Sequence, residues 1–218
     1  MRLKSLFLLC YLLLHLMGKA QYGDSTDFKK QAIKFTPLEL VGIFSPSLEL
    51  AYEYRHTGRL SSQLTLAYYL HNNLYFSNTR GLKIGLEEKL YLRKEEYGPF
   101  VSIEYYYSNR NYKSNEAFST DPAGWRTDEY IDDTFYIRRK VHSVAAKFGY
   151  QLIWSRFAFE IFSGLGVYHF NKTHLDAPAP PYEFVSFFEG PCFSCVLIRK
   201  GTGWGLSIPI NGRIGFQS

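Results

Sequence analysis

The stretch "GLKIGLEEKLYLRKEEYGPFVSIEYYYSN", Gly81 to Asn109, contains two alternating runs in succession. In the first, Leu82, Ile84, Leu86, Leu90 and Leu92 share one parity, and Lys83, Glu87 and Lys89 share the other. After a short polar break, Val101, Ile103, Tyr105 and Tyr107 alternate with Ser102, Glu104 and Tyr106. Successive side chains of a strand point to opposite faces, so these runs build a sheet with one apolar and one charged face. Few folds can use such a sheet, because both faces must find a suitable medium.

The same alternation recurs along the chain, interrupted by turn residues, with no helical period beside it. A first strand is expected from about Ala32 to Val41, with a bulge near Pro37 reconciling Ile33 and Phe35 with Leu38 and Leu40. The second sets Leu48, Leu50, Tyr52 and Tyr54 against Glu49, Ala51, Glu53 and Arg55. The third sets Leu64, Leu66, Tyr68 and Leu70 against Gln63, Thr65 and Ala67. The fourth and fifth are the runs quoted above. The sixth ends at Ile153, the seventh begins at Phe157, and the last runs from Leu206 to Phe216 with Pro209 as a defect. Arg110 to Asp133 and Asn171 to about Gly203 read as long loops. The larger connections all fall at one end of the strands and the tight turns at the other. That asymmetry marks an outer-membrane barrel, with short periplasmic turns and longer extracellular loops.

In lipid every backbone polar group must be paired within the protein, so an exposed sheet must close. Eight strands enclose a space about wide enough to be filled by side chains. The apolar parity then faces lipid. The charged parity faces inward, where Glu49, Glu53, Arg55, Lys83, Glu87, Lys89, Glu104, Lys147, Glu160 and Arg213 can pair across the lumen. Glu88 breaks the rule by pointing at lipid; a bulge or a place near the periplasmic rim would relieve it. A soluble barrel of lipocalin type is the structural rival, with the apolar parity inside.

The amino terminus fits export. Arg2 and Lys4 precede an apolar run from Leu6 to Met17, and Gly18-Lys19-Ala20 puts small residues before Gln21, so residues 1–20 read as a cleaved signal peptide. The run is short of the about 20 residues that span a bilayer. Loss of Arg2, Lys4 and Lys19 leaves 22 of the 25 basic residues against 20 acidic ones. The basic pI is therefore no argument for nucleic acid. Residues 21–218 form one domain, with 18 Tyr and 18 Phe against two Met as suits strands.

The segments "SLELAYEYRHTGRLSSQLTLAYY", "GLKIGLEEKLYLR" and "FGYQLIWSRFAFEIFSGLGVYHF", with the closing "GRIGFQS", resemble small outer-membrane barrels of the OmpA/OmpX type. They are most similar to the uncharacterised outer-membrane barrel family of the Bacteroidota. The resemblance covers nearly all of residues 21–218. It implies an all-β, eight-stranded antiparallel up-and-down transmembrane β-barrel in the outer membrane of a Gram-negative bacterium. Its partners are then outer-membrane lipid and lipopolysaccharide.

Candidate chemistry is sparse. A lipid A-modifying enzyme needs His and Ser on one face, yet His142 and Ser143 are adjacent and point apart, and His169 has Val167 and Asn171 two residues away. His71, Ser77, His174 and Asp176 are polar residues near one rim, as any solvated loop provides. The inward Glu and Lys residues read as a structural ion network before they read as a general acid and base, or as the gate of a small channel. Cys192 and Cys195, in "PCFSC", suit a small loop disulfide in an oxidising compartment, with two free thiols as the alternative. No catalytic, cofactor or metal residues are assigned. The expected role is structural, or binding of a protein partner through the long loops, whose apolar stretches around Cys192 and Cys195 could form a docking hairpin or pack on the other loop.

Overall fold

Each alternating run forms a strand and pairs with the next. The computed structural model describes residues 30–40, 46–70, 77–93, 98–119, 130–176, 183–184 and 201–217. Its elements are β1 (Gln31–Phe35), α1 (Pro37–Leu40), β2 (Ser47–Arg55), β3 (Leu60–Tyr69), β4 (Ser77–Tyr91) and β5 (Gly98–Ser119). There follow β6 (Tyr130–Trp154), β7 (Phe157–His174), β8 (Glu183–Phe184), β9 (Gly201–Ser207) and β10 (Ile210–Gln217). Strands β1 to β7 pair antiparallel in chain order, and β9 and β10 both lie beside β7 as one interrupted strand. β10 then pairs with β1, Ile33 opposite Phe216 and Phe35 opposite Ile214. The sheet thereby closes into an eight-stranded antiparallel β-barrel.

Three details differ from the sequence expectation. Pro37 does not sit in a bulged strand. It opens the helical turn α1, where its fixed φ fits the first position and its missing N–H costs nothing. The stretch from Arg110 is not a loop: β5 and β6 stay in register up to Ser119 opposite Tyr130. That hairpin is about 70 Å long at about 3.3 Å per residue. The second long loop also begins later, since β7 continues to His174. It returns to pair Phe184 with Phe118, so part of it lies against the extension of β5. The defect at Pro209 is the break between β9 and β10, bridged by the Gly164 N–H donating to the Pro209 carbonyl at 2.9 Å. Residues 1–20, Cys192 and Cys195 lie outside the described residues.

The charged parity faces the lumen and the apolar parity faces out. Glu49, Glu87, Lys89 and Glu160 are buried, while Leu86, Phe148, Ile161 and Leu165 are exposed on the outer wall. A lipocalin-type barrel would show the reverse. The outer face changes character at one level. On β6 it is apolar from Trp154 to Val144 and polar at Lys140 and Arg138. Asn109 and Asn111 on β5 and Asn171 and Thr173 on β7 lie opposite these two cations. The apolar part is about 25 Å tall once the usual strand tilt is allowed. Between the two zones sits an aromatic girdle of Tyr105, Tyr107, His142, His169 and Trp204, joined by ring contacts and by a 2.8 Å hydrogen bond between the Tyr105 hydroxyl and His142 Nδ1.

Candidate functional site in the barrel lumen

The lumen has two halves. In the half nearer the tight turns, charge is paired. Lys89 Nζ lies 3.0 Å from Glu53 and 2.6 Å from Glu160, and Lys34 bridges the same two carboxylates. Tyr91 donates to Glu53 at 2.8 Å, and Arg55 lies over its ring at 4.2 Å. Above them Arg213 Nη1 and Lys147 Nζ each lie 2.8 Å from Glu87. Lys147 also reaches Glu104 at 3.1 Å, and Lys83 holds Glu49 at 2.7 Å. Five cations (Lys34, Lys83, Lys89, Lys147, Arg213) thus meet six carboxylates (Glu39, Glu49, Glu53, Glu87, Glu104, Glu160) among the described residues, with Arg55 beside them on the Tyr91 ring. Alternation assigned all but two of these to the lumen. Lys34 was obscured by the parity slip at Pro37, and Glu39 enters from α1, where it accepts from Ser47 at 3.1 Å and from Asn211 at 3.0 Å.

In the half nearer the long loops the lumen opens into a cavity of about 580 Å³. Its walls include Arg110, Arg139 and Lys172 with Tyr69, Tyr106, Tyr168 and Phe170. These three cations come from neighbouring strands at one register level: Arg110 is opposite Arg139, and Arg139 is opposite Lys172. Aromatic faces hold them. Arg110 lies 5.8 Å from the Tyr69 ring and 5.2 Å from the Tyr112 ring. Arg139 lies 5.8 Å from both Tyr168 and Phe170, and Lys172 lies 4.7 Å from Phe170. Burial, with Arg139 and Arg110 close by, lowers the Lys172 ammonium to about 8. Among the described residues, the only carboxylates lining this cavity are Glu39, Glu49 and Glu104 at its floor, each already near a cation of the paired half.

The sequence builds this wall with glycine. Tyr168 faces Gly205 and Phe170 faces Gly203 across β7 and β9. A Cβ on Gly205 would stand 2.4 Å from the Tyr168 ring, and one on Gly203 would stand 2.7 Å from the Phe170 ring. The "GTGWG" run leaves room for two inward rings to lie flat over the backbone, the close approach that glycine in a strand permits.

Among the described residues, those weighed for lipid chemistry are not brought together. His142 faces out beside Tyr105, while Ser143 is buried and its hydroxyl donates to the Val167 carbonyl at 3.3 Å. His174 packs on Phe135, and Asp176 accepts the Tyr136 N–H at 2.6 Å. His71 is outside the described residues. Glu88 is resolved in a way the sequence did not show. Ser62 on the neighbouring strand donates to Glu88 at 2.6 Å, and His56 Nε2 lies 2.7 Å from that hydroxyl, near the turn end. The serine's single proton is spent on the carboxylate, so His56 acts as donor to the chain and not as its base.

The basic row was missed because Arg110 and Arg139 fell in or beside a presumed loop. The usable signal was inward parity, which continues from Ser102, Glu104, Tyr106 and Ser108 to Arg110 and Tyr112. No protein-family model, curated protein or solved structure matches this chain.

Proposed function

We propose that the protein resides in the outer membrane of a Gram-negative bacterium, after removal of residues 1–20, as a non-catalytic barrel that binds through its loop end. The observation that carries this reading is the outer wall. It has a closed apolar belt of about the height outer-membrane barrels present to lipid, then an aromatic girdle, then a polar collar with Arg138 and Lys140. Water would be a poor solvent for so much contiguous apolar surface. The collar cations stand where the anionic groups of outer-leaflet lipopolysaccharide would lie. The long β5–β6 hairpin and the loop that returns to it through β8 project beyond the belt as a surface for a protein partner.

Two other roles fit less well. A channel needs an open lumen, and the paired half is crossed by ion pairs at every level. A lipid A-modifying enzyme needs a serine, a base and an acid converging on the lipid face, and the weighed residues whose side chains are described do not converge. Fractionation with gel migration before and after boiling tests the placement. The expected result is recovery in outer-membrane fractions with a shift in apparent size on heating. Recovery as a soluble periplasmic protein without a shift would refute it. Planar-bilayer recording is expected to show no steady conductance, and unchanged lipid A mass in a deletion strain would agree with the absence of catalysis.

A further inference from the structure

The cavity in the loop half of the lumen is bordered by six consecutive residues, Leu206 to Asn211, which run from the end of β9 through Pro209 into β10. Inside a closed wall only every second residue of a strand faces the lumen. Six in a row border one cavity where a strand presents its edge. The register puts such an edge here. β1 ends at Phe35, opposite Ile214, and the chain then turns into α1. Beyond that point, β9 and Ile210 to Arg213 of β10 have β7 on one side and no strand on the other among the described residues. α1 forms the lower rim of the gap, where Glu39 accepts from Ser47 at 3.1 Å and from Asn211 at 3.0 Å. The outer side of the edge is uncovered: Leu206, Ile208 and Ile210 are 82%, 66% and 70% exposed.

This edge lies within the apolar belt. Leu206 is opposite Val167, itself opposite Val144, and Ile210 is opposite Ser163, itself opposite Phe148. Its two faces differ. Leu206, Ile208 and Ile210 point out, while Ser207 and Asn211 point in. Behind them the cavity wall carries Lys83, Tyr106, Phe162 and Arg213. Pro209 has no N–H to offer an added strand, and proline is one of the devices that keep sheet edges from pairing. Water in the cavity would meet hydrocarbon at the gap. A bare hydrocarbon chain in the cavity would meet buried charge. A molecule with a polar end and a hydrocarbon chain suits both sides.

We infer that the cavity opens sideways into the bilayer between α1 and the β9–β10 break, and binds one membrane amphiphile through that opening. The polar end sits beside Ser207, Asn211 and Tyr106, and the chain leaves across Leu206 and Ile208. The volume of about 580 Å³ falls within the range of about 300–1,000 Å³ usual for small-molecule sites. This inference rests on the outer-membrane reading, which puts the opening in lipid.

Photocrosslinking of the full mature chain in bilayer discs tests it. The photoreactive residue p-benzoylphenylalanine replaces Tyr106, which lines the cavity, or Phe100, which is buried in the paired half. The discs contain phosphatidylcholine and monoacyl phosphatidylcholine, and intact mass spectrometry follows irradiation. A lipid adduct at position 106 that is absent at position 100 is the expected result. Its mass tells a one-chain amphiphile from a two-chain one. Ser207→Trp, which fills the opening, should remove most of the adduct. No adduct at position 106, equal adducts at the two positions, or an undiminished adduct in Ser207→Trp overturns the sideways entry. So does a crosslink to the chain itself or to a second copy in place of lipid. The boiling shift of each sample reports the barrel separately. If the label at Tyr106 abolishes that shift, Phe170 carries it instead; if Ser207→Trp does, Ser207→Leu is used. A barrel that shifts without a lumen adduct leaves the membrane reading standing and sinks this one.

Discussion

The two halves of the lumen are built from the same strands by the same alternation, yet they treat charge in opposite ways. Near the tight turns, every described cation has a carboxylate or ring partner, and Lys34, Lys89, Glu53 and Glu160 close on one another around a single centre. Near the long loops, Arg110 and Arg139 stand opposite one another against aromatic faces, with Lys172 in line with them. The contrast is between charge paired with charge inside the belt and guanidinium groups packed on aromatic rings beyond the girdle.

The comparison is sharpened most strongly by breaking the paired half. Lys89→Met leaves Glu53 and Glu160 sharing Lys34 in a buried space, and removing one partner from such a network costs about 3–5 kcal/mol. Urea titration of the barrel in vesicles should show that loss, with the boiling shift weakened or gone. The next largest effect lies in the open half. Gly205→Ala places a Cβ against the Tyr168 ring, and overpacking of this kind costs about 1–3 kcal/mol. The same titration measures it. If Gly205→Ala were neutral, the Tyr168 ring would not be fixed against this strand.

The sequence told the two halves apart only at the level of the lower one. Within the belt, Leu82, Ile84 and Leu86 alternate with Lys83, Gly85 and Glu87, so parity alone places Lys83 and Glu87 inside. Beyond the girdle both faces turn polar: Asn109 and Asn111 outside, Ser108 and Arg110 inside. Alternation loses its contrast there although the strands continue, and the extension of β5 and β6 therefore read as a loop. Pairing alone sustains it, Arg110 with Arg139 and Tyr112 with Ile137. Pairing between distant segments is not visible in one segment's composition. The helical turn at Pro37 was hidden for a different reason. Its four residues, Pro37–Leu40, are too few for any period to show.

A smaller and more informative effect comes from Arg110→Met. In the paired half the loss of a cation is costly; here it relieves repulsion from Arg139 and gives up ring contacts with Tyr69 and Tyr112. The two changes nearly offset, so urea titration should move by less than about 1 kcal/mol in either direction. A loss of stability as large as that of Lys89→Met would mean that Arg110 is structural, and the division between the halves would fail.

The smallest effect is in pH. Lys172 titrates near 8, below its ordinary 10.5, because burial and the facing Arg139 of β6 and Arg110 of β5 disfavour its charge. The unfolded chain therefore holds this proton more tightly than the empty barrel does. Stability of the empty barrel should rise by a modest amount as pH climbs from about 8 towards 10.5, and the cost of burying the ammonium is fully present below 8. Urea titration across this range measures it, and the rise should be absent in Lys172→Gln. A rise that persists in that variant would move the titrating group elsewhere.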